Sequence, residues 1–351
     1  MAYGVVVALA SAVLFGLSTP LAKWLVGTIS PLMLAGLLYA GSGLGLFLVM
    51  AIRQLRTPGM RGIVLPQRGE WPWLLAAIFF GGVAAPVALM AGLVTSAAAT
   101  ASLLLNLEGV LTALLAWFVF RENFDRRVML GMAAIVAGGL VLAWSPGAQA
   151  ASSLGLVLVV AACLCWAIDN NLTRKVAASD AMMIACLKGL AAGAVNFTLA
   201  LLLGQSLPPP GITALALLVG FVGYGISLVL FVLALRHLGT ARAGAYFSVA
   251  PFFGAALAVV MFGDALTLQL GIAGLLMAAG VWLHLTEHHG HQHVHDALAH
   301  AHAHSHDEHH RHAHDFEWNG IEPHVHPHVH LPMTHSHAHY PDLHHRHRHT
   351  D

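Results

Sequence analysis

Ten apolar runs, each close to the about 20 residues a helix needs to cross about 30 Å of hydrocarbon, occupy almost everything before residue 287. They cover about 3–26, 31–52, 71–94, 97–119, 127–145, 153–175, 181–204, 212–235, 240–262 and 266–286. Lipid offers no partner to a free peptide group, so runs of this length predict helices. Short separators with turn chemistry divide them, as in "SPGAQAASS" and "QSLPPPG". With 58% hydrophobic and 9% charged residues and a mean hydropathy of +0.73, a water-soluble globular domain of this size is excluded. The start, "MAYGVVVALA", has no basic segment ahead of its apolar stretch and reads as a retained first helix. Cys163, Cys165 and Cys186 fall inside apolar runs and read as small buried hydrophobes, with no disulfide expected.

Basic residues set the orientation. With the N-terminus in the cytoplasm, the inside loops hold Arg53, Arg56, Arg61, Arg68, Arg121, Arg126, Arg127, Arg174, Lys175, Arg236 and Arg242. The opposite loops hold none, apart from Lys23 near the end of the first helix. This positive-inside pattern, with an even number of spans, predicts that both termini are cytoplasmic, in a bacterial inner membrane.

The second half repeats the first. "WAIDNNLTRKV" from Trp166 lies under "FGLSTPLAKWL" from Phe15, which sets Asp169 against Ser18, Asn170 against Thr19 and Asn171 against Pro20. "FSVAPFFGAALAVVMFGD" from Phe247 lies under "LNLEGVLTALLAWFVFRE" from Leu105, which sets Asp264 against Glu122. An odd number of helices per unit inverts one half relative to the other. The expected fold is an all-α membrane protein of ten transmembrane helices, built as two inverted five-helix repeats at 1–145 and 152–286, with a disordered cytoplasmic tail at 287–351. Inverted repeats of this kind carry an alternating-access site between the halves, near the bilayer midplane.

These residues resemble the drug/metabolite transporter superfamily, and within it the EamA-type members. The resemblance rests on the ten runs, the five-plus-five repeat, the two first-helix motifs above, and the "RE" and "GD" that close the fourth and ninth runs. It covers residues 3 to about 286. It implies a secondary carrier, commonly an exporter of amino acids, metabolites or toxic compounds, with no enzymatic step and no cofactor for transport. Relatives often carry Arg about eight residues into the second helix of a half; here Leu38 and Tyr39 stand there, and Lys188 is near the equivalent place in the second half.

A charged side chain at a helix centre costs about 2.5–3.5 kcal/mol on insertion scales, so each one needs a partner or a cavity. Glu108 lies deep in the fourth run, with Asn106 two residues before it, and is the candidate proton or cation site. Lys188 lies deep in the seventh run and has three readings: counter-ion to Glu108, counter-ion to Asp169, or ligand for an anionic substrate group. Asp169, Asn170 and Asn171 face most of the way round the sixth helix, so at least one meets a cavity or another helix. Trp166 is deep enough to line the same pathway. No nucleophile and base pair, phosphate loop or zinc-hydrolase spacing appears in the runs, which argues against an enzyme.

The chain has 26 histidines, and all but His237 and His284 follow Glu287. They recur as His-x-His, as in "HAHAHSH", "HVHPHVH" and "THSHAHY". In an extended segment residues two apart can turn toward one ion, and neutral imidazole suits Zn, Ni, Co or Cu. The expected ligands are His302, His304, His306, His324, His326, His328, His330, His335, His337 and His339. The expected partners are the lipid bilayer and a small-molecule or metal substrate, with no nucleic acid; the residues set no oligomeric state. A second reading is a metal- or pH-sensing or storage protein whose bundle does not transport, since histidines charge below neutrality.

Overall fold

The computed structural model describes residues 2–56, 68–120, 126–144, 150–173, 176, 181–238 and 246–286, and in the tail 290–295, 298–304, 324–330 and 333–338. The chain divides into two compact units, Met1–Glu287 and His288–Asp351. Every described regular element of the first unit is helical. In order they are α1 (Ala2–Val26), α2 (Pro31–Arg56), α3 (Trp71–Ala77), α4 (Ala85–Thr95), α5 (Ala98–Leu104), α6 (Leu107–Phe120), α7 (Arg126–Ala143), α8 (Ala150–Thr173), α9 (Ala181–Leu202), α10 (Pro210–Val219), α11 (Ser227–Leu238), α12 (Ala250–Phe262) and α13 (Leu268–Leu285). π-helical segments join α3 to α4 at Ile78–Ala84 and α10 to α11 at Gly220–Ile226.

Seven of these stretches are long and apolar enough to cross a membrane: Tyr3–Val26, Pro31–Arg56, Trp71–Thr95, Ala98–Leu115, Leu154–Thr173, Met182–Leu202 and Pro210–Phe231. Where the sequence predicts the fifth, ninth and tenth spans, the described residues hold the shorter apolar helices Met129–Ala143, Ala250–Phe262 and Leu268–Leu283. Residues 240–245 of the expected ninth span lie outside the described residues. Large apolar side chains such as Leu44, Phe47, Leu48, Leu130, Leu140, Leu199 and Leu275 are exposed on the outside of the bundle. On a soluble protein such a surface would aggregate; here it is the surface lipid covers.

The largest apolar cluster of the interior gathers around Leu25, Met33, Leu34, Leu38, Leu89, Met90, Leu93, Leu104, Val159 and Met277, with smaller clusters beside it. With no hydrophobic drive between helices in lipid, close backbone approach does much of the packing work. α2 and α9 approach closely at two facing glycines: a Cβ on Gly43 would fall 2.6 Å from the Gly189 carbonyl carbon, and one on Gly189 would fall 2.6 Å from the Gly43 nitrogen. Gly43→Leu is therefore expected to lower the bundle's stability by about 3 kcal/mol or more, read as a drop in melting temperature of the detergent-purified protein, while Gly271→Leu is expected to leave it unchanged. Gly271 meets nothing within 4 Å, although its type and place in an apolar run predict close helix approach; it lies on the exposed side of α13.

In the second unit the described residues form four strands. β1 (Gly290–His295) pairs antiparallel with β4 (Met333–Ala338), and β2 (Leu298–His304) with β3 (His324–His330). The register sets His300, His302 and His304 opposite His328, His326 and His324, and His291 and His293 opposite His337 and His335. The physical reason is the His-x-His period of two, which is also the period of a strand.

Candidate substrate and coupling site

The fourth expected span is two helices. α5 ends at Leu104 and α6 begins at Leu107, and the turn between them is held by short bonds from Leu105 N to Ser102 O (3.2 Å), Asn106 N to Leu103 O (3.1 Å) and Glu108 N to Leu105 O (3.1 Å). The buried Asn106 side chain adds a second bond to the Leu103 carbonyl, at 3.1 Å, and so reinforces the turn. Glu108 thereby falls in the first turn of α6, where backbone amides favour a negative charge.

α8 faces this carboxylate. Successive residues on a helix point about 100° apart, and the run Asp169-Asn170-Asn171 spreads its three side chains accordingly. Asn170 donates to Glu108 Oε1 at 2.9 Å and to Thr112 Oγ1 at 3.3 Å. Asn171 donates to the Thr112 carbonyl at 3.2 Å and to its own Ala167 carbonyl at 2.9 Å. Asp169 turns toward α9, where Lys188 Nζ donates to both of its oxygens, at 2.5 and 2.7 Å. Thr173, one turn along α8, donates to Asp169 at 2.9 Å and accepts from Lys188 at 3.2 Å. Lys188 is thus ion-paired with Asp169. The pair is largely buried, with side-chain exposures of 16% and 8%, and Glu108 lies within electrostatic reach of both charges.

The π-helical segment Ile78–Ala84 backs the pair. A π-turn leaves carbonyls out of α-helical register, and side chains from other helices take them up. The Gly81 carbonyl accepts from Tyr39 Oη at 2.6 Å and from Trp166 Nε1 at 3.0 Å, and the Gly82 carbonyl accepts from Asn196 Nδ2 at 2.9 Å. Trp166 thus anchors α8 one turn before Asp169 and Asn170. Any side chain on Gly81 would collide with the Asp169 carboxylate. Tyr39 also packs on Tyr224, with ring centroids 5.6 Å apart, and Tyr224 on Phe15 at 5.8 Å.

Tyr39, Gly81, Thr112, Thr173 and Asn196 are site residues the sequence does not single out as ligands. The one local signal is "FFGG" in the middle of an apolar run. Cys163 and Cys186 are buried and free, with thiols that lie against the Leu104 and Gly43 carbonyls, as small buried hydrophobes do. Among the described residues no group of three or more His, Cys, Asp or Glu is placed to hold a metal ion. Of the expected tail ligands, His302, His304, His324, His326, His328, His330, His335 and His337 lie on the paired strands, while His306 and His339 lie outside the described residues.

A bundle of apolar helices with two carboxylates, one ammonium and several amides and hydroxyls gathered on α6, α8 and α9 can hold a polar solute or a proton inside the membrane. The model of the EamA-like transporter family matches the chain at residues 2–144 and again at residues 153–286. The chain belongs to the EamA-like transporter family. It is 27% identical over 294 residues, 80% of this chain and 85% of the other, to an uncharacterized transporter of Methanothermobacter thermautotrophicus. It is 30% identical over 235 residues, 62% of this chain and 72% of the other, to a probable amino-acid metabolite efflux pump of Salmonella typhimurium. A solved crystal structure superposes with a TM-score of 0.61 at 22% identity, covering 81% of this chain and 98% of that one, a likeness of fold alone. Family and relatives indicate an integral membrane transporter of a small molecule rather than an enzyme.

Proposed function

We propose that this EamA-like transporter is a secondary exporter of small polar metabolites, with amino acids and their derivatives the first class to test. The observation that carries the reading is the ion pair Lys188–Asp169 beside the Glu108–Asn170 pair, 2.5 and 2.9 Å across, on three neighbouring membrane helices. Glu108 is the coupling site, where a proton is bound and released, and Lys188 with Asp169 meets the solute's charged groups. Asn106, Asn170, Asn171 and Trp166 shape the path between them. Ten helices in two inverted repeats frame this site. Support comes from the two family matches, the two π-helical segments at Ile78–Ala84 and Gly220–Ile226, and the helix breaks before Leu107 and before Ala250. The arginine-rich helix ends and loops, of which Arg53, Arg56, Arg68, Arg126, Arg127 and Arg236 fall in the described residues, face the cytoplasm, as do both termini. The test is counterflow of radiolabelled amino acids in liposomes carrying the purified full chain. Accelerated exchange of at least one class is expected, and no exchange above empty liposomes for any of them overturns the reading.

The histidine tail favours a second element, a cytoplasmic metal-binding segment that gathers or senses Zn, Ni, Co or Cu for the bundle, with a transition metal or its complex as a further candidate cargo. Calorimetric titration of zinc into the purified protein is expected to show several ions bound by residues 1–351 and none by residues 1–286, with bound zinc displaced as the histidines charge below about pH 6. Equal binding by the two chains removes the tail from the mechanism.

A further inference from the structure

At one end of the bundle, hydrogen bonds strap the first family-matched segment to the second. The Asp264 carboxylate, just past α12, accepts from the Ala99 amide at the start of α5 at 3.0 Å. Gln269, at the start of α13, donates to the Val141 and Trp144 carbonyls at the end of α7 at 2.5 and 2.6 Å. Ser30, before α2, donates to Gln205, after α9, at 2.5 Å. Lys23 at the same end donates to the Leu93 and Val94 carbonyls that close α4 and lies within electrostatic reach of Asp264. A cavity of about 310 Å³ sits among the straps, lined by Thr95, Ser96, Thr100, Asp264, Thr267 and Gln269.

Two side chains at α5 are hard to explain if this end stays shut. Ser102 is fully buried against α12, where a Cβ on Gly254 would fall 2.8 Å from its hydroxyl, and among the described residues that hydroxyl has no hydrogen-bond partner. Ser96, just before α5, is also buried, and its hydroxyl likewise has no partner among the described residues. Each such group costs about 1–3 kcal/mol, and alanine at either place would avoid the cost, as Ala98, Ala99 and Ala101 do. Water reaching the seam in another state would satisfy both. α5 is also a separate helix of seven residues, joined to α6 by the turn that precedes Glu108, so a swing of α5 reaches the coupling site directly.

We propose that the α5–α12 seam is the gate at this end of the bundle and that the Asp264 carboxylate is its latch. Opening breaks the bond to Ala99, hydrates Ser96 and Ser102, and extends the cavity inward along α5 toward Glu108. The inference rests on the transport reading above and is tested without a solute. A full-length protein with Ser102→Cys, Cys163→Ala and Cys165→Ala is placed in liposomes and treated with a membrane-impermeant maleimide. Cys186, on α9 and buried against α2, stays in place and must remain unlabelled, which reports an intact bundle. Adding Asp264→Ala is expected to raise labelling at position 102 about tenfold, the shift that loss of one charge-assisted hydrogen bond produces. Asp264→Asn, which keeps an acceptor for the Ala99 amide, raises it less. If Asp264→Ala does not fold, Gln269→Ala is expected to raise labelling about threefold through loss of the neighbouring strap. An unchanged rate in the folded variant overturns the latch, whereas a wild-type chain that carries no solute overturns the transport reading instead.

Discussion

Lys188→Met is expected to destabilise the bundle by about 3–5 kcal/mol and to abolish transport, because it leaves Asp169 charged, buried and without its counter-ion. The hydroxyl of Thr173 also donates to that carboxylate, at 2.9 Å, and a neutral hydroxyl does not replace an ammonium held at 2.5 and 2.7 Å. Removing both charges separates the structural share from the functional one. Lys188→Met with Asp169→Asn removes the unpaired charge and is expected to recover most of the lost stability. Transport stays absent in the double variant if Lys188 and Asp169 meet the solute. Melting temperatures of the four proteins of the cycle, with exchange assays on each, check both statements. A double variant as active as wild type would reduce the pair to a structural tie.

The membrane architecture was legible because lipid allows little else. Runs such as Ala2–Val26 and Pro31–Arg56 are so uniformly apolar that no alternative to a helix exists, and their ends match the expected bounds within a few residues. The same uniformity hid what happens inside the runs. Hydropathy cannot separate an α-turn from a π-turn when every residue is apolar, so the segment Ile78–Ala84 left no trace except Gly81 and Gly82. Nor did the break at Leu105–Asn106, which needs neither proline nor glycine. The depth of Glu108, Asp169 and Lys188 marked them as costly to bury. Which carboxylate takes the lysine depends on helix rotation, and a one-residue turn of α8 would exchange Asp169 for Asn170. The roles of Tyr39 and Asn196 are hidden for a related reason: their partners are carbonyls freed by the π-turn, which no side-chain pattern records. In the tail the His-x-His period was visible, but which strand pairs with which is a long-range choice that composition does not encode.

Glu108→Gln bears hardest on the coupling mechanism. The amide keeps the size of the carboxyl and still accepts from Asn170 through its oxygen, so folding is expected to survive within about 1 kcal/mol. What the substitution removes is the ability to gain and lose a proton. If Glu108 couples solute movement to the proton gradient, solute accumulation driven by an imposed pH difference should fall to the level of empty liposomes, a loss of about a hundredfold or more for a site with no substitute base. Exchange of solute for solute needs no net proton movement and is expected to persist, with a rate that no longer varies with pH. Glu108→Asp restores the titratable group but withdraws it from Asn170, and should return gradient-driven transport in part. If Glu108→Gln retains full pH-driven accumulation, Glu108 is not the coupling site.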